Sequence, residues 1–219
     1  MSYRDNYVRD IRNYFKSMLE CGYYVQDKTG VKTIELVGAS FVADEPTIFG
    51  EPNHDYIDRE IAWYKSQSRY INDIPGGPPA IWKEVADDHG YINSNYGWCI
   101  WSDENNTQYL KVRDELIKNP NTRRAIMIYT RPTMWEDYKE NGRSDFMCTN
   151  AVQYLIRNDR LYTVVQMRSN DVVYGYKNDW AWQKYVQNKL ASDLGVETGD
   201  IHWNVGSLHV YERHFDLVQ

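Results

Sequence analysis

The stretch from Asp145 to Asp179, DFMCTNAVQYLIRNDRLYTVVQMRSNDVVYGYKND, limits what this chain can fold into more than any other. Two strand-like runs, Val152 to Ile156 and Leu161 to Met167, are joined by the turn Arg157-Asn158-Asp159-Arg160. The second run delivers Arg168-Ser169-Asn170-Asp171, four polar residues that fill a core poorly and suit an anion well. Cys148 lies in a polar turn beside Thr149-Asn150, with no second cysteine near enough for a CxxC pair. Asp179 stands at the start of a helical pattern, Asn178 to Leu194, whose face is Trp182, Tyr185, Val186 and Leu190 and whose stop is Gly195. A nucleophile, an anion clamp and a polar reader within thirty-five residues point to an enzyme acting on a phosphorylated substrate.

The rest of the 219-residue chain supplies a core. Hydrophobic residues make up 42% and one domain spanning 1–219 is the simplest division. A net charge of −6 argues against direct nucleic-acid binding, which needs a concentrated basic surface. A few arginines can still hold one phosphate in an acidic protein. Cys21, Cys99 and Cys148 are widely spaced and odd in number, and no apolar signal segment opens the chain. These features predict free thiols in a reducing cytoplasm. No apolar run approaches the ~20 residues of a membrane span.

In chain order, Val8, Ile11, Phe15, Met18 and Leu19 recur at helical spacing up to Gly22. Asp27 to Thr33 reads as a polar loop and Ile34 to Val42 as a strand whose Gly38 marks a bulge. Tyr56 to Ser66 reads as a helix with Ile57, Ile61 and Tyr64 as its apolar stripe. Glu60 falls three positions after Ile57 and four before Tyr64, so burial is expected to raise its pKa. Asn72 to Pro79 is a Pro/Gly loop, and Trp82 follows where apolar patterning resumes. Asn93 to Trp101 is aromatic-rich around Gly97, as a pocket wall or packed core would be. Tyr109, Val112 and Leu116 mark a helix ended by Asn119-Pro120, and Arg123-Arg124 lead into a strand reaching Tyr129. Ile201 to Tyr211 is the last strand region, broken at Gly206. Helices come first and strands dominate later, which predicts an α+β fold.

Each candidate has an ordinary structural role available. A lone cysteine is often a small buried hydrophobe. Asp179 could be an N-cap, His209 a core histidine, Glu60 a stripe-edge side chain, and Lys28 and Lys32 solvated loop charge. The combination is more specific. Glu60-Ile61-Ala62-Trp63-Tyr64, Tyr96-Gly97, Arg123-Arg124, Cys148, Arg168-Ser169-Asn170-Asp171 and His209-Val210-Tyr211, in this order, resemble the thymidylate synthase superfamily over nearly the whole chain. Within it, DKTGVKTIE, GASFVADEP, NSNYGW, DFMCTN, MRSNDVV and WNVGSLHVY resemble the deoxycytidylate (dCMP) hydroxymethylases of T-even-like bacteriophages.

That resemblance implies a thymidylate synthase-like fold, a mixed β-sheet flanked by helices, with the sheet used at the interface of a homodimer. It implies transfer of a one-carbon unit from 5,10-methylenetetrahydrofolate to C5 of dCMP with addition of water. The products would be 5-hydroxymethyl-dCMP and tetrahydrofolate, for phage DNA modification in the cytoplasm of an infected bacterium. Cys148 would attack C6 as a thiolate. A thiol has a pKa of about 8.5 and needs a positive neighbour such as Arg168. Glu60 would organise water and move protons. Asp179 replaces the synthase asparagine, and a carboxylate accepts from the cytosine amino group where asparagine matches uracil. Arg168 and Ser169, with Asn170 beside them and Lys28 from the loop, would hold the nucleotide. Arg123 and Arg124 would come from the second subunit, and His209 and Tyr211 would hold the 3′-hydroxyl. Asp171, Trp82 and Tyr96 would face the folate. No metal is required.

Two departures accompany the resemblance. Thr149 stands where the synthases usually have histidine, which is expected to change the water network near the pyrimidine. The chain ends at Gln219, shortly after His214, where the family continues into a tail that closes over folate. A thymidylate synthase or a dUMP hydroxymethylase is the alternative within the family, opposed by Asp179. An inactive nucleotide-binding relative is the alternative of another class, opposed by Cys148, Glu60 and Asp179 together. Membership of a nucleotide-synthesising complex is left open.

Overall fold

The computed structural model describes residues 6–219. Its helices are α1 (Val8–Glu20), α2 (His54–Ser66), α3 (Ala80–Val85), α4 (Tyr96–Trp101), α5 (Gln108–Lys118), α6 (Met134–Asp137) and α7 (Gly175–Leu194). Its strands are β1 (Val25–Gln26), β2 (Lys32–Val42), β3 (Ile126–Ile128), β4 (Thr149–Arg157), β5 (Arg160–Asp171) and β6 (Glu197–Tyr211). The fold is α+β, as the order of patterns predicts. Two compact units divide it: Met1–Pro52 with Arg157–Gln219, and Asn53–Ile156.

In the first unit the strands run in the order β1-β2-β6-β5. β1 and β2 form an antiparallel hairpin, β2 pairs antiparallel with β6, and β6 pairs parallel with β5, so the sheet is mixed. α1 lays Val8, Ile11 and Phe15 into the core, one stripe at helical spacing. β6 differs from its sequence expectation at both ends of the argument. It begins at Glu197, because polar residues there still pair with Arg160 and Leu161. Nor does Gly206 break it: a Cβ at that position would lie 2.9 Å from the Arg168 carbonyl oxygen, so glycine allows close approach. Gly38 takes φ +70°, yet Val37↔Ser207 and Ala39↔Val205 keep one register, so no register-shifting bulge forms there. The shift lies instead between β5 and β6, where Leu161 meets Thr198 and Thr163 meets Ile201.

α7 explains how that irregularity survives burial. Trp182, Val186 and Leu190 are buried as expected, but Gln183 and Gln187 share the face and Tyr185 does not. Gln187 Nε2 donates to the Leu161 carbonyl at 3.0 Å and to the Gly199 carbonyl at 3.1 Å. A β-bulge leaves ladder groups unpaired, and buried carbonyls need partners. One amide thus serves two strands. Gly195, at φ +67°, ends the helix in the left-handed conformation as the sequence predicts.

The second unit is built on aromatic packing. Tyr64 stacks on Trp63 and on Tyr96, and Tyr96 meets Tyr129 edge-on. Residues 96–101, left open between pocket wall and core by their composition, form α4 with Tyr96, Cys99 and Ile100 buried. Gly97 makes the contact with α2 possible, since a Cβ there would sit 1.7 Å from the Tyr64 carbonyl oxygen. α5 buries Tyr109, Val112 and Leu116 as read from the sequence. β3 pairs antiparallel with β4, burying Met127 and exposing Ile126 and Ile128.

Gln187→Leu keeps the volume and removes both donors, so it is expected to cost about 2–4 kcal/mol in denaturant unfolding. An unchanged midpoint would show that the two carbonyls find other partners.

Candidate active site

In the second unit, α2 starts from Asn53, whose side chain accepts from the Tyr56 backbone N–H at 3.1 Å. Its buried face is Ile57, Glu60, Trp63 and Tyr64. The glutamate therefore lies within the apolar face, and Ile61 is only half-buried. Tyr56 Oη donates to Glu60 Oε1 at 2.6 Å, and Trp82 Nε1 donates to Tyr56 Oη at 2.8 Å. Burial pushes the Glu60 carboxyl up to about 7, against hydrogen bonds from Tyr56, Trp82 and Tyr64 that pull it down. A carboxyl poised near neutrality suits general acid–base chemistry. Burial and the Glu60 charge push the Tyr56 phenol up, so Tyr56 remains a donor. Sequence reasoning missed Tyr56. Its i,i+4 spacing from Glu60 on one helix was the available signal.

Cys148 immediately precedes β4, with its Sγ 3.9 Å from the Phe146 carbonyl oxygen. The loop before it is tied down by two buried groups. Asp145 accepts from the Asn93 N–H at 2.6 Å, the Ser94 N–H at 2.8 Å and the Ser94 hydroxyl at 2.6 Å. Burial pushes the Asp145 carboxyl up, and these hydrogen bonds work against that shift. Arg143 Nη2 pairs with Asp87 Oδ2 at 2.6 Å, with both side chains almost fully buried. Asn93 is the hub. Its Oδ1 accepts from Arg69 at 3.1 Å and from Arg131 and Arg143, each at 3.2 Å. Its amide donates to the Asp137 and Asp145 carbonyls. The Trp98 ring lies against both Arg69 and Arg131. Polarity alone marked the Cys148 turn. Asp145 and Arg143 meet partners 50 to 56 positions away in sequence, and no local pattern announces them.

The other cysteines differ from Cys148. Cys99 is buried and its thiol is pushed up to about 12, while Cys21 is exposed. Thr149 is fully buried with its hydroxyl unpartnered. Trp82 is half-buried on α3 with its indole on Tyr56, and Tyr96 is packed into the aromatic core. Arg123 and Arg124 are exposed just before β3.

In the first unit, β5 does not stop at Met167 but continues through Asp171, because Ser169, Asn170 and Asp171 still pair with Ser207, Leu208 and His209. Arg168 is exposed, Ser169 half-buried and Asn170 buried. α7 begins at Gly175, which makes Asp179 its fifth residue rather than an N-cap. Asn170 Nδ2 donates to Asp179 Oδ2 at 2.8 Å. A Cβ at Gly175 would sit 3.0 Å from that same Nδ2. Asp171 Oδ1 accepts from the Val173 and Tyr174 N–H groups, turning the chain into the helix. His209 and Tyr211 meet edge-on at 5.1 Å, and Ser207 links His209 to Glu35. Lys28 is exposed on the β1–β2 loop, which Asp27 Oδ1 shapes by accepting from Thr29 and Val31. Hydrogen bonding from Thr29 holds the Asp27 carboxyl below its usual range. Among the described residues, no three His, Cys, Asp or Glu side chains group as a metal site would require. Among the described residues, no helix is long and apolar enough to cross a membrane.

The thymidylate synthase family model matches residues 9–219. The chain belongs to the thymidylate synthase family. Deoxycytidylate 5-hydroxymethyltransferase of Enterobacteria phage T4 is 59% identical over 218 residues, covering 96% of this chain and 89% of that protein. The proteins of the same name from phages T2 and T6 are equally similar. A thymidylate synthase of Francisella tularensis subsp. holarctica is 24% identical, across 96% of this chain and 82% of its own. The crystal structure of thymidylate synthase from T4 phage superposes with TM-score 0.77 at 23% identity, over 95% of this chain and 78% of that one. The expected thymidylate synthase-like fold is thereby borne out.

Two outcomes follow from the second unit. Glu60 is raised from 4.5 to about 7 on folding, so its contribution is fully present below pH 4.5 and is lost as pH rises toward 7. Wild-type stability should fall by about 3 kcal/mol over that range from this group, and Glu60→Gln should flatten the loss in unfolding measured against pH. Asp145→Asn turns an amide donor toward three donors. It should destabilise the chain by about 2–4 kcal/mol and speed alkylation of Cys148, mapped by peptide mass spectrometry; an unchanged rate would show that the loop is held without Asp145.

Proposed function

We propose that this chain is a folate-dependent dCMP hydroxymethylase acting as one catalytic domain in the cytoplasm of a phage-infected bacterium. The hydrogen bond from Asn170 to Asp179 Oδ2 carries the choice of base. An amide NH2 only donates, so it meets Asp179 as an acceptor carboxylate, and an acceptor is what the base is read with. The cytosine 4-amino group donates and matches it. The uracil 4-carbonyl accepts and does not. Similarity to the T-even deoxycytidylate 5-hydroxymethyltransferases supports the same substrate.

Cys148 adds through sulfur to C6 of the pyrimidine, which makes C5 nucleophilic, and it leaves when the double bond re-forms. Glu60 takes and returns protons and orients water, aided by the Tyr56 donor that keeps its carboxyl in place. Such proton transfer is worth about 10²–10⁴-fold. Arg168, Ser169 and Lys28 bind the phosphate, and Arg123 and Arg124 serve the site of a second subunit in a homodimer. Guanidinium forks match phosphate oxygens. His209 and Tyr211 hold the sugar.

The donor set also fits a pterin. Asp171 has Oδ1 occupied by backbone N–H groups, which fixes its carboxylate plane and directs Oδ2 to a ligand N–H. Asp171 and Trp82 would hold 5,10-methylenetetrahydrofolate, with Tyr96 packed behind α2. That folate supplies the one-carbon unit that water converts to hydroxymethyl.

A mass-spectrometric product assay tests the whole assignment. dCMP with methylenetetrahydrofolate should give 5-hydroxymethyl-dCMP, and dUMP should give little product. Asp179→Asn should shift the preference toward dUMP by about 10⁴-fold. A methylated product would instead make the chain a synthase, and bound dCMP without turnover would favour an inactive relative.

A further inference from the structure

β2 and β6 place Glu35 and Ser207, which the assigned chemistry does not use, in a line with His209. Glu35 is the cross-strand partner of His209, and Val37 that of Ser207, so Glu35, Ser207 and His209 share one face of the pair. Ser207 Oγ donates to Glu35 Oε1 in a short hydrogen bond. A carboxylate oxygen can only accept, so the single Ser207 proton is committed to Glu35. The Ser207 hydroxyl can then offer His209 only a lone pair. His209 Nδ1 lies 3.5 Å from that hydroxyl and 3.3 Å from the Ser207 carbonyl oxygen. Both neighbours are acceptors, so Nδ1 of the neutral ring carries the proton and Nε2 keeps its lone pair. His209 is 9% exposed, and Tyr211 packs against its ring edge-on. The ring has little freedom to exchange its two nitrogens.

We propose that Glu35 and Ser207 are positioning residues that hold His209 in the Nδ1–H tautomer and thereby make it a reader of hydroxyl donors on the sugar. The proposal rests on the nucleotide-binding assignment given above. It adds direction to the contact: Nε2 accepts from a 3′-hydroxyl, and a sugar carrying only an acceptor at that position meets a lone pair. Replacing Glu35 releases the Ser207 proton, which can then turn to Nδ1. The ring then takes either tautomer, and sugar discrimination falls.

Nitrogen NMR of the histidine rings, on free protein at about pH 8, above the ordinary imidazole range, reads the tautomer directly. Wild type should show a protonated Nδ1 and a bare Nε2 at His209. Glu35→Ala should show a mixture, while Ser207→Thr, which keeps the hydroxyl, should resemble wild type. Steady-state kinetics supply the second measurement. Glu35→Ala should raise KM for dCMP about tenfold with kcat within about twofold, the effect of one lost hydrogen bond. The preference for dCMP over its 3′-fluoro analogue should shrink by a similar factor. A wild-type ring protonated at Nε2, or a Glu35→Ala variant with unchanged tautomer and unchanged analogue preference, would overturn the proposal. If Glu35→Ala does not fold, the wild-type spectrum and the Ser207→Thr kinetics still decide it. An Nδ1–H ring in a protein that binds no pyrimidine nucleotide would overturn the specificity role through failure of the functional assignment, with the relay itself intact.

Discussion

A carboxylate removed from water has to find its hydrogen bonds inside the protein, and Asp145 finds three of them on two consecutive residues, Asn93 and Ser94. The loop that carries Cys148 takes its place from that requirement. Asn93 extends the constraint, because its one amide oxygen receives three guanidinium groups and its nitrogen holds two carbonyls. Arg143 is paired in turn with Asp87. Each member of such a cluster is costly if its partner is lost, so the cluster has few alternative arrangements. Cys148, half-buried, follows this polar cluster by three residues along the chain from Asp145.

Elsewhere the same logic uses fewer atoms. Gly206 and Gly97 each stand where a methyl group would collide with a carbonyl oxygen, of Arg168 and Tyr64 respectively. Their absence of side chain sets how closely a strand and a helix can approach their neighbours. Gln187 spans the irregular pairing of β5 with β6, and Asn170 spans the end of β5 and the first turns of α7. These amides are buried, and each donates to acceptors that another element supplies. Asp179 accepts from Asn170, and Asp171 accepts from the Val173 and Tyr174 N–H groups at the chain's turn.

The elements that were legible beforehand are those whose information is local. α1, α2, α5 and the body of α7 follow from apolar spacing and glycine or asparagine stops, and β2 and β5 from continuous strand-like runs. The extension of β5 through Asp171 was hidden because four polar residues look like a strand end until the pairing with β6 is known. Glu60 was expected to be partly buried with a raised pKa, and the fold buries it within the face of α2 with its carboxyl pushed up to about 7. α4 carries too few residues around Gly97 to announce itself by periodicity.

Residue type and order sufficed to single out Cys148, Glu60, Arg168 and Asp179 as candidates, because chemical capacity belongs to single side chains. Their states did not follow from that. The burial of Glu60, the contact of Asn170 with Asp179 and the anchoring of the Cys148 loop each depend on how the chain packs, as when Asp145 meets Asn93 and Ser207 meets Glu35. Hydrogen bonds act over about 3 Å, and distances of that size between residues far apart in the chain exist only after folding.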